Sequence, residues 1–543
     1  MYFKLMALRG GICLLLFCIQ SVCLQGQAGE FVQGSVVDLN TQEPVAFATV
    51  RLKDRALGVI TNPDGGFRIP LRFRELEEIL IISCLGYQNR EVRFSDLTSA
   101  GPNRVTLTPQ PLLLEEAVVL GKRKRPPSPR RIVKRAIEKI PENYPVEPFA
   151  YVGYYRDYQQ KGREYVNLNE ALLRVTDMGF GTNDFEGTQV QLYDYRENTQ
   201  FRRDTLAEKP YNYASRDKII QNAYLYGYGG NEWNILRIHD AIRNYRINTF
   251  SFVNRFEKDL LPNHSVSRKN DALVNGKRMF VISLEKSRPT IDPYPMSKNK
   301  IDHKFRAEGS LYISQDSYAI HKLVYKVFDE TGGKSSREPK ESAADLLYEV
   351  AIEYNEEGGR MYPNYISFHN VFTLRRAPFY VKDITLDFEN KCFIAEFSND
   401  PVLLVDKTVS NFVVKFKRKR LKLDQVVRIK DRYHLFPDPD DFVQMAHELT
   451  TSYDESAYFS PDVLEFNFSG IYDRKGNELH QYKSEQFHQY REFFTQRISP
   501  EAHTPVDPDQ VMNKNAPISR NQPLVMPSDF QDYWMNTPLK IME

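Results

Sequence analysis

His447 and Glu448 open the way a zinc-peptidase helix does, an imidazole followed by a carboxylate. That chemistry needs a second imidazole one helical turn on to hold the metal, and position 451 is Thr451. None of the ten histidines begins a His-x-x-Glu spacing either. Cys392 is the conceivable thiol nucleophile, but KCFIAEF reads as a core strand. Gly332-Gly333-Lys334-Ser335 has the end of a phosphate loop, while the glycine that should open it is Phe328. There is no G-x-S-x-G elbow for a serine hydrolase. Asp345, Glu349 and Glu353 share one strand-like stretch. Paired carboxylates for glycoside chemistry need only spatial adjacency, although charged strand edges are a far commoner use of such residues. No catalytic, cofactor-binding or metal-ligating residue is therefore assigned, and no cofactor is expected.

One polar corner asks for a decision. In GVITNPDGGFRI, residues 58–69, Asn62, Asp64 and two glycines could hold a cation or could turn a hairpin. Pro63 presets φ for the second turn position, Asp64 can bond its own backbone, and Gly65 or Gly66 supplies positive φ. A calcium loop needs several more oxygen ligands at alternating positions. The corner is read as a hairpin turn. Two basic stretches, 121–131 and 415–423, could meet lipid phosphates or an anionic glycan, but are read as an extended linker and a solvated strand.

The elements that would position any chemistry are mostly strands. The chain has 543 residues, 41% hydrophobic and 27% charged, enough for about two to four domains. Its 34 Phe and 32 Tyr favour sheets. Residues 1–28 read as a secretory signal: Lys4 and Arg9, the short apolar run GICLLLFCIQSVCL, then Gly26-Gln27-Ala28. A retained anchor and lipidation at Cys23 are the alternatives. Basic and acidic residues number 73 and 71. Without Lys4 and Arg9 they balance, so no global field favours nucleic acid. Cys84 and Cys392 then remain, too few for a disulfide framework and read as free thiols, with one pairing left open. No later run reaches about 18 apolar residues, so no transmembrane helix is expected.

From residue 29 to 109 short strands alternate with turns, as in a β-sandwich of about seven strands. In PVAFATVRL, alternation places Ala46, Ala48, Val50 and Leu52 on one face and Val45, Phe47, Thr49 and Arg51 on the other. Gly34, Val36, Asp38, Pro44, Val45, Ala48, Val50, Gly58, Thr61, Asn62, Gly65, Phe67, Gly86 and Tyr87 carry a pattern that resembles the carboxypeptidase regulatory-like domain. That resemblance implies a transthyretin-like sandwich, an accessory module of cell-envelope proteins with no catalytic residues of its own.

Residues 110–148 read as a basic, proline-bearing linker and one short helix capped by Ser128-Pro129, with Ile132, Val133, Ala136, Ile137 and Ile140 as its apolar stripe. Residues 149–430 read as a large, curved antiparallel β-meander or half-barrel with turns near 161–162, 275–276, 315–316 and 358–359. Helices are expected in 215–227 and 233–246. Residues 431–543 read as helical segments, one in 438–449 and a stronger one at 482–498, followed by an extended tail that docks at FQDYWMN. GSLYISQDSYAIHKLVYKV resembles the half-barrel of periplasmic lipoprotein carriers. IEKIPENYPVEPFAYVGYYRD resembles Gram-negative envelope proteins of undefined activity that carry the same sandwich. The fold class is thus mostly β. A spanning barrel competes poorly, because KFKRKRLKL puts charge on both faces. The expected function is a non-catalytic exported protein, periplasmic or on the periplasmic face of the outer membrane, binding or scaffolding a lipid, lipoprotein or partner protein through a concave sheet. The alternative is an envelope hydrolase without a local motif.

Overall fold

A computed structural model describes residues 31–110, 127–209, 218–219, 231–247, 255–286, 305–329, 345–403, 409–501 and 506–539, apart from 54–56, 75–77, 85, 100, 275 and 461. The targeting segment, the run 121–126 and residues 332–335 lie outside them. The chain forms two compact units, one of Met1–Tyr211, Ile220–Phe372 and Phe487–Glu543, the other of Asn212–Ile219 and Thr373–Gln486. It is mostly β.

The first unit begins with the sandwich. Its strands are β1 (Phe31–Asp38), β2 (Thr49–Leu52), β3 (Gly58–Ile60), β4 (Gly66–Pro70), β5 (Ile79–Ser83), β6 (Arg90–Arg93) and β7 (Asn103–Leu107). They form two sheets, ordered β4-β1-β7 and β3-β2-β5-β6. Val36, Val50, Val59, Phe67, Leu80, Ile82 and Leu107 close the core between them. The corner is a hairpin turn. Gly65 N–H donates to the Asn62 carbonyl at 2.8 Å, Gly66 N–H to Asp64 Oδ1 at 3.0 Å, and Gly65 has φ +75°. The alternation before β2 holds for Ala48, Val50 and Leu52 but slips at Phe47, whose φ is +60°. Val45 is therefore buried and Ala46 only half-buried. The cause is Thr61, whose buried hydroxyl donates to the Val45 carbonyl and accepts from Ala48 N–H, each at 2.8 Å.

The helix Pro129–Glu138 starts where Ser128 Oγ accepts from Arg131 N–H, and it buries Ile132, Val133, Ala136 and Ile137. Then comes one twelve-stranded antiparallel sheet. Its strands in chain order are β8 (Phe149–Lys161), β9 (Glu164–Asp177), β10 (Gln189–Glu197), β11 (Lys218–Ile219), β12 (Ser265–Arg268), β13 (Ala272–Val274), β14 (Lys277–Lys286), β15 (Phe305–Ser314), β16 (Ile320–Asp329), β17 (Asp345–Glu357), β18 (Arg360–Arg376) and the C-terminal strand Lys483–Ser499. The spatial order is β10-β9-β8, then Lys483–Ser499, then β18-β17-β16-β15-β14-β12, an open path and not a closed barrel among the described residues. Gly162, and Gly358 with Gly359, have the positive φ that the hairpin readings required.

The segment expected as the stronger C-terminal helix is instead a strand in the middle of this sheet. Phe487, Tyr490 and Phe494 fit a helical stripe, but Arg491 and Phe493 face one side while Glu492 and Phe494 face the other, and β8 supplies its hydrogen bonds. The helix expected in 215–227 lies largely outside the described residues, where only β11 is seen.

In the second unit, Val381–Asp387, Cys392–Phe397, Arg432–Pro437 and Leu423–Ile429 form a four-stranded sheet. The helix Pro439–Ser452 buries Phe442, Met445 and Leu449 in the same core. The basic run 415–423 folds into a tight hairpin, with positive φ at Lys417 and Arg418.

Candidate functional site

Both faces of the large sheet are covered where its central strands lie. On one face β8 presents Tyr151 and Tyr155, and the C-terminal strand presents Arg491 and Phe493. The helix Glu232–Ile238 and the turn after it close over them, with Trp233 edge-on to Tyr155 and to Phe493 at 5.9 and 4.7 Å. Phe493 also lies where a side chain at Gly153 would stand, so that position must be glycine. Four charges lock this cover. Arg243 grips Asp177 through two nitrogens at 2.9 Å, and Arg237 bridges Asp177 and Asp184 and donates to the Tyr151 hydroxyl. Burial opposes ionisation of Asp184, yet Arg237 and Arg243 hold its carboxyl down to about 2. Burial pushes Asp157 up to about 7, aided by the charge of Glu232, and Asp240 up to about 6. Each carboxylate is engaged: Asp157 accepts from Asn169 and Tyr155 at 3.1 Å, and Asp240 accepts from Tyr354 at 2.7 Å. About 20 Å³ stays open between Tyr151, Asp177, Arg237 and Phe493, room for one water. Among the described residues, this part of the sheet leaves no open apolar groove.

The opposite face carries the sandwich. Val324, Ala351, Tyr365, Phe494 and Trp534 pack into the sandwich core. The Asn62 corner reaches the sheet, where Asn62 Oδ1 accepts from Arg156, itself paired with Glu492. The C-terminal segment threads between the two: Trp534 Nε1 donates to the Arg68 carbonyl at 3.0 Å, Asn536 Nδ2 to the Ile60 carbonyl at 2.9 Å, and Thr537 Oγ1 to Glu170 at 3.0 Å.

Beside this seam the sandwich and the sheet part, leaving a cleft of about 800 Å³. One wall is the face of β2 and β5 that carries Phe47, Thr49, Arg51, Ile81 and Ser83. The other is built from Tyr312, His321, Lys322 and the end of β17, with Lys277 at the rim. Lys322 pairs with Glu353 at 3.2 Å and Lys277 with Glu356 at 2.5 Å. Burial works to lower the Lys322 ammonium, and Glu353 nevertheless leaves it raised. Arg51 lies within electrostatic range of Glu357 and Glu353, and burial lowers its guanidinium. Arg51 and Glu357 make no ion pair or side-chain hydrogen bond with any described residue. His321 is 9% exposed, and its Nε2 is buried without a hydrogen-bond partner among the described residues. Burial first, and then Lys277, push this imidazole down to about 4, so it is neutral at pH 7. The cleft combines an apolar wall, a cation and an anion unpaired among the described residues, and one buried imidazole nitrogen.

The residues whose types could serve catalysis do not converge: Glu353 lines the cleft and the others lie apart from it. Glu353 and Glu349 project from β17 onto lysines, Glu349 to Lys326 at 3.1 Å. Cys392 is buried in the second unit with its Sγ 3.9 Å from His434 Nδ1, and burial pushes the thiol up to about 11, away from the thiolate. Neither Cys84 nor Cys392 is in a disulfide. His447 and Glu448 lie on the exposed side of their helix, where Glu448 pairs with Lys417. Lys415 and Lys422 of the basic run pair with Glu465 and Asp438. Alternation had already set Phe47, Thr49 and Arg51 on one face. His321 and Glu357 had no local signal, since both act only through the sandwich opposite.

Residues 32–119 match the family model of the CarboxypepD_reg-like domain. No curated protein matches the chain. Solved structures similar to it include a LolA superfamily protein from Nitrosomonas europaea (10% identity, 45% of this chain and 86% of that one, TM-score 0.17). A DUF1329 family protein from Desulfovibrio piger is 5% identical over 45% of this chain and 87% of its own, with TM-score 0.18. The MucA/MucB complex of Pseudomonas aeruginosa gives 7% identity over 57% of this chain and 96% of that one, with TM-score 0.16. Likeness at this level carries no function from those proteins to this chain. The chain carries a CarboxypepD_reg-like domain at its N-terminal end, joined to a large antiparallel sheet.

Proposed function

We propose that the protein is a non-catalytic, exported component of the cell envelope that holds an amphiphilic ligand between its sandwich and its large sheet. The cleft carries this reading: about 800 Å³, within the range of small-molecule sites, with an apolar wall and polar groups that no described residue matches. The two carboxylates whose proton affinity is raised furthest, Asp157 and Asp240, support binding over hydrolysis, because they lie under the helix-covered face with hydrogen-bond partners of their own. Residues 1–28 and the CarboxypepD_reg-like module support export and a periplasmic or outer-membrane-associated address. No helix among the described residues is long and apolar enough to cross a membrane.

The test is native mass spectrometry of protein recovered from an envelope fraction. The expected result is a retained small mass that is lost in Ser83→Trp, which fills the cleft from the sandwich wall. Recovery of the bare chain, or of the same adduct on Ser83→Trp, would contradict the reading.

A further inference from the structure

Two of the six charged side chains at the cleft make no ion pair or side-chain hydrogen bond among the described residues. Lys322 with Glu353 and Lys277 with Glu356 are internal pairs. Arg51, on the sandwich wall, and Glu357, on the sheet wall, feel each other without reaching ion-pair distance. A half-buried guanidinium and a half-buried carboxylate held apart cost desolvation free energy that neither returns to the other. The same wall holds the orphaned His321 Nε2. A purely anionic ligand would satisfy Arg51 and stand against Glu357, and a purely cationic one would do the reverse.

Resting on the binding reading above, we propose that the cleft selects a zwitterion on an apolar body, with the anionic group on Arg51 and the cationic group on Glu357. His321 Nε2 takes a polar hydrogen-bonding atom of the same head. Phe47, Ile81, Tyr312 and Leu273 receive the apolar part. Arg51 is suited to a phosphate or carboxylate because its guanidinium presents paired donors to two oxygens. A lipid with a phosphoethanolamine head and a short apolar peptide with free termini share this chemistry.

Isothermal titration of the full mature chain separates them, using lysophosphatidylethanolamine, lysophosphatidylglycerol of the same acyl length, and leucyl-phenylalanine, the lipids below their micellar concentrations. The expected result is binding of one of the two zwitterions at least tenfold tighter than the anionic lipid; which one binds identifies the source. Arg51→Gln should weaken that binding at least tenfold. Glu357→Gln should erase the preference for zwitterion over anion, and circular dichroism of both variants should match the wild type. Equal affinity for the two lipids in the wild type overturns the zwitterion but leaves the binding reading standing. Binding of none of the three probes overturns the zwitterion, and the mass retained from the envelope fraction then decides the binding reading by itself. Tight zwitterion binding that is indifferent to both substitutions also overturns the assignment.

Discussion

Two regions of the large sheet use charge in different ways. Under the helix Glu232–Ile238, Arg237 and Arg243 meet Asp177 and Asp184 in direct contact, and the residual space holds about one water. On the face that carries the sandwich, Arg51 and Glu357 stand apart across a cleft some forty times larger, about 800 Å³ against 20 Å³. Paired charges in a closed interior specify one packing arrangement. Unpaired charges lining an opening are groups the fold leaves for something else to satisfy. The contrast is between a closed, paired interior and an open cleft, and β17 lines both.

The sharpest way to break this contrast is to open the closed face. Asp177→Ala leaves Arg243 and Arg237 without their shared carboxylate and should cost about 3–5 kcal/mol in urea unfolding. A loss under about 1 kcal/mol would mean the network is not the lock. Next in size, Trp534→Ala removes the indole that packs on Phe73 and donates to the Arg68 carbonyl, and about 3 kcal/mol should be lost. Because Trp534 joins the sandwich to the sheet, the loss should also abolish retention of any mass bound in the cleft.

A smaller effect depends on pH. The Asp157 carboxyl is raised from its ordinary value to about 7 by burial, so the folded chain holds a proton there that the unfolded chain releases near pH 4. This contribution is fully present below about pH 4 and is lost as pH rises toward 7. Asp157→Asn removes the loss, so its melting temperature relative to wild type should climb from pH 4 to 7 and then level. A flat difference would place Asp157 outside the titrating core. Neutral His239, His264 and His321, each pushed to about 4 chiefly by burial, act with the opposite slope: stability falls as pH drops from about 6.5 toward 4.

The smallest expected change in stability is at the cleft. Arg51→Gln and Glu357→Gln break no ion pair or side-chain hydrogen bond with a described residue and should each stay within about 0.5 kcal/mol of wild type in the same unfolding assay. A cost above about 2 kcal/mol for either would show that the two charges serve the fold.

Local chemistry made much of the architecture legible. Gly65, Gly162 and Gly358-Gly359 mark turns because only positive φ closes them, and Ser128-Pro129 marks a helix start because a hydroxyl must meet the free N–H groups. Misreadings arose where two periods coincide. Phe487, Tyr490 and Phe494 satisfy a helical spacing while Phe487, Gln489, Arg491 and Phe493 satisfy a strand spacing, and the pairing with β8 that decides the matter lies more than 300 residues away in the chain. Thr61 likewise shifts the phase at Phe47 from a strand away. The cleft was half visible. Alternation placed Phe47, Thr49 and Arg51 together, but Glu357 and His321 gain meaning only from the docking of one domain on the other.

The most direct test is a crystal structure of protein purified from the envelope fraction without added ligand. The account predicts electron density for a bound group bridging the Arg51 guanidinium and the Glu357 carboxylate, with His321 Nε2 hydrogen-bonded to it. A cleft filled only by water, with Arg51 and Glu357 turned into direct contact, would contradict it.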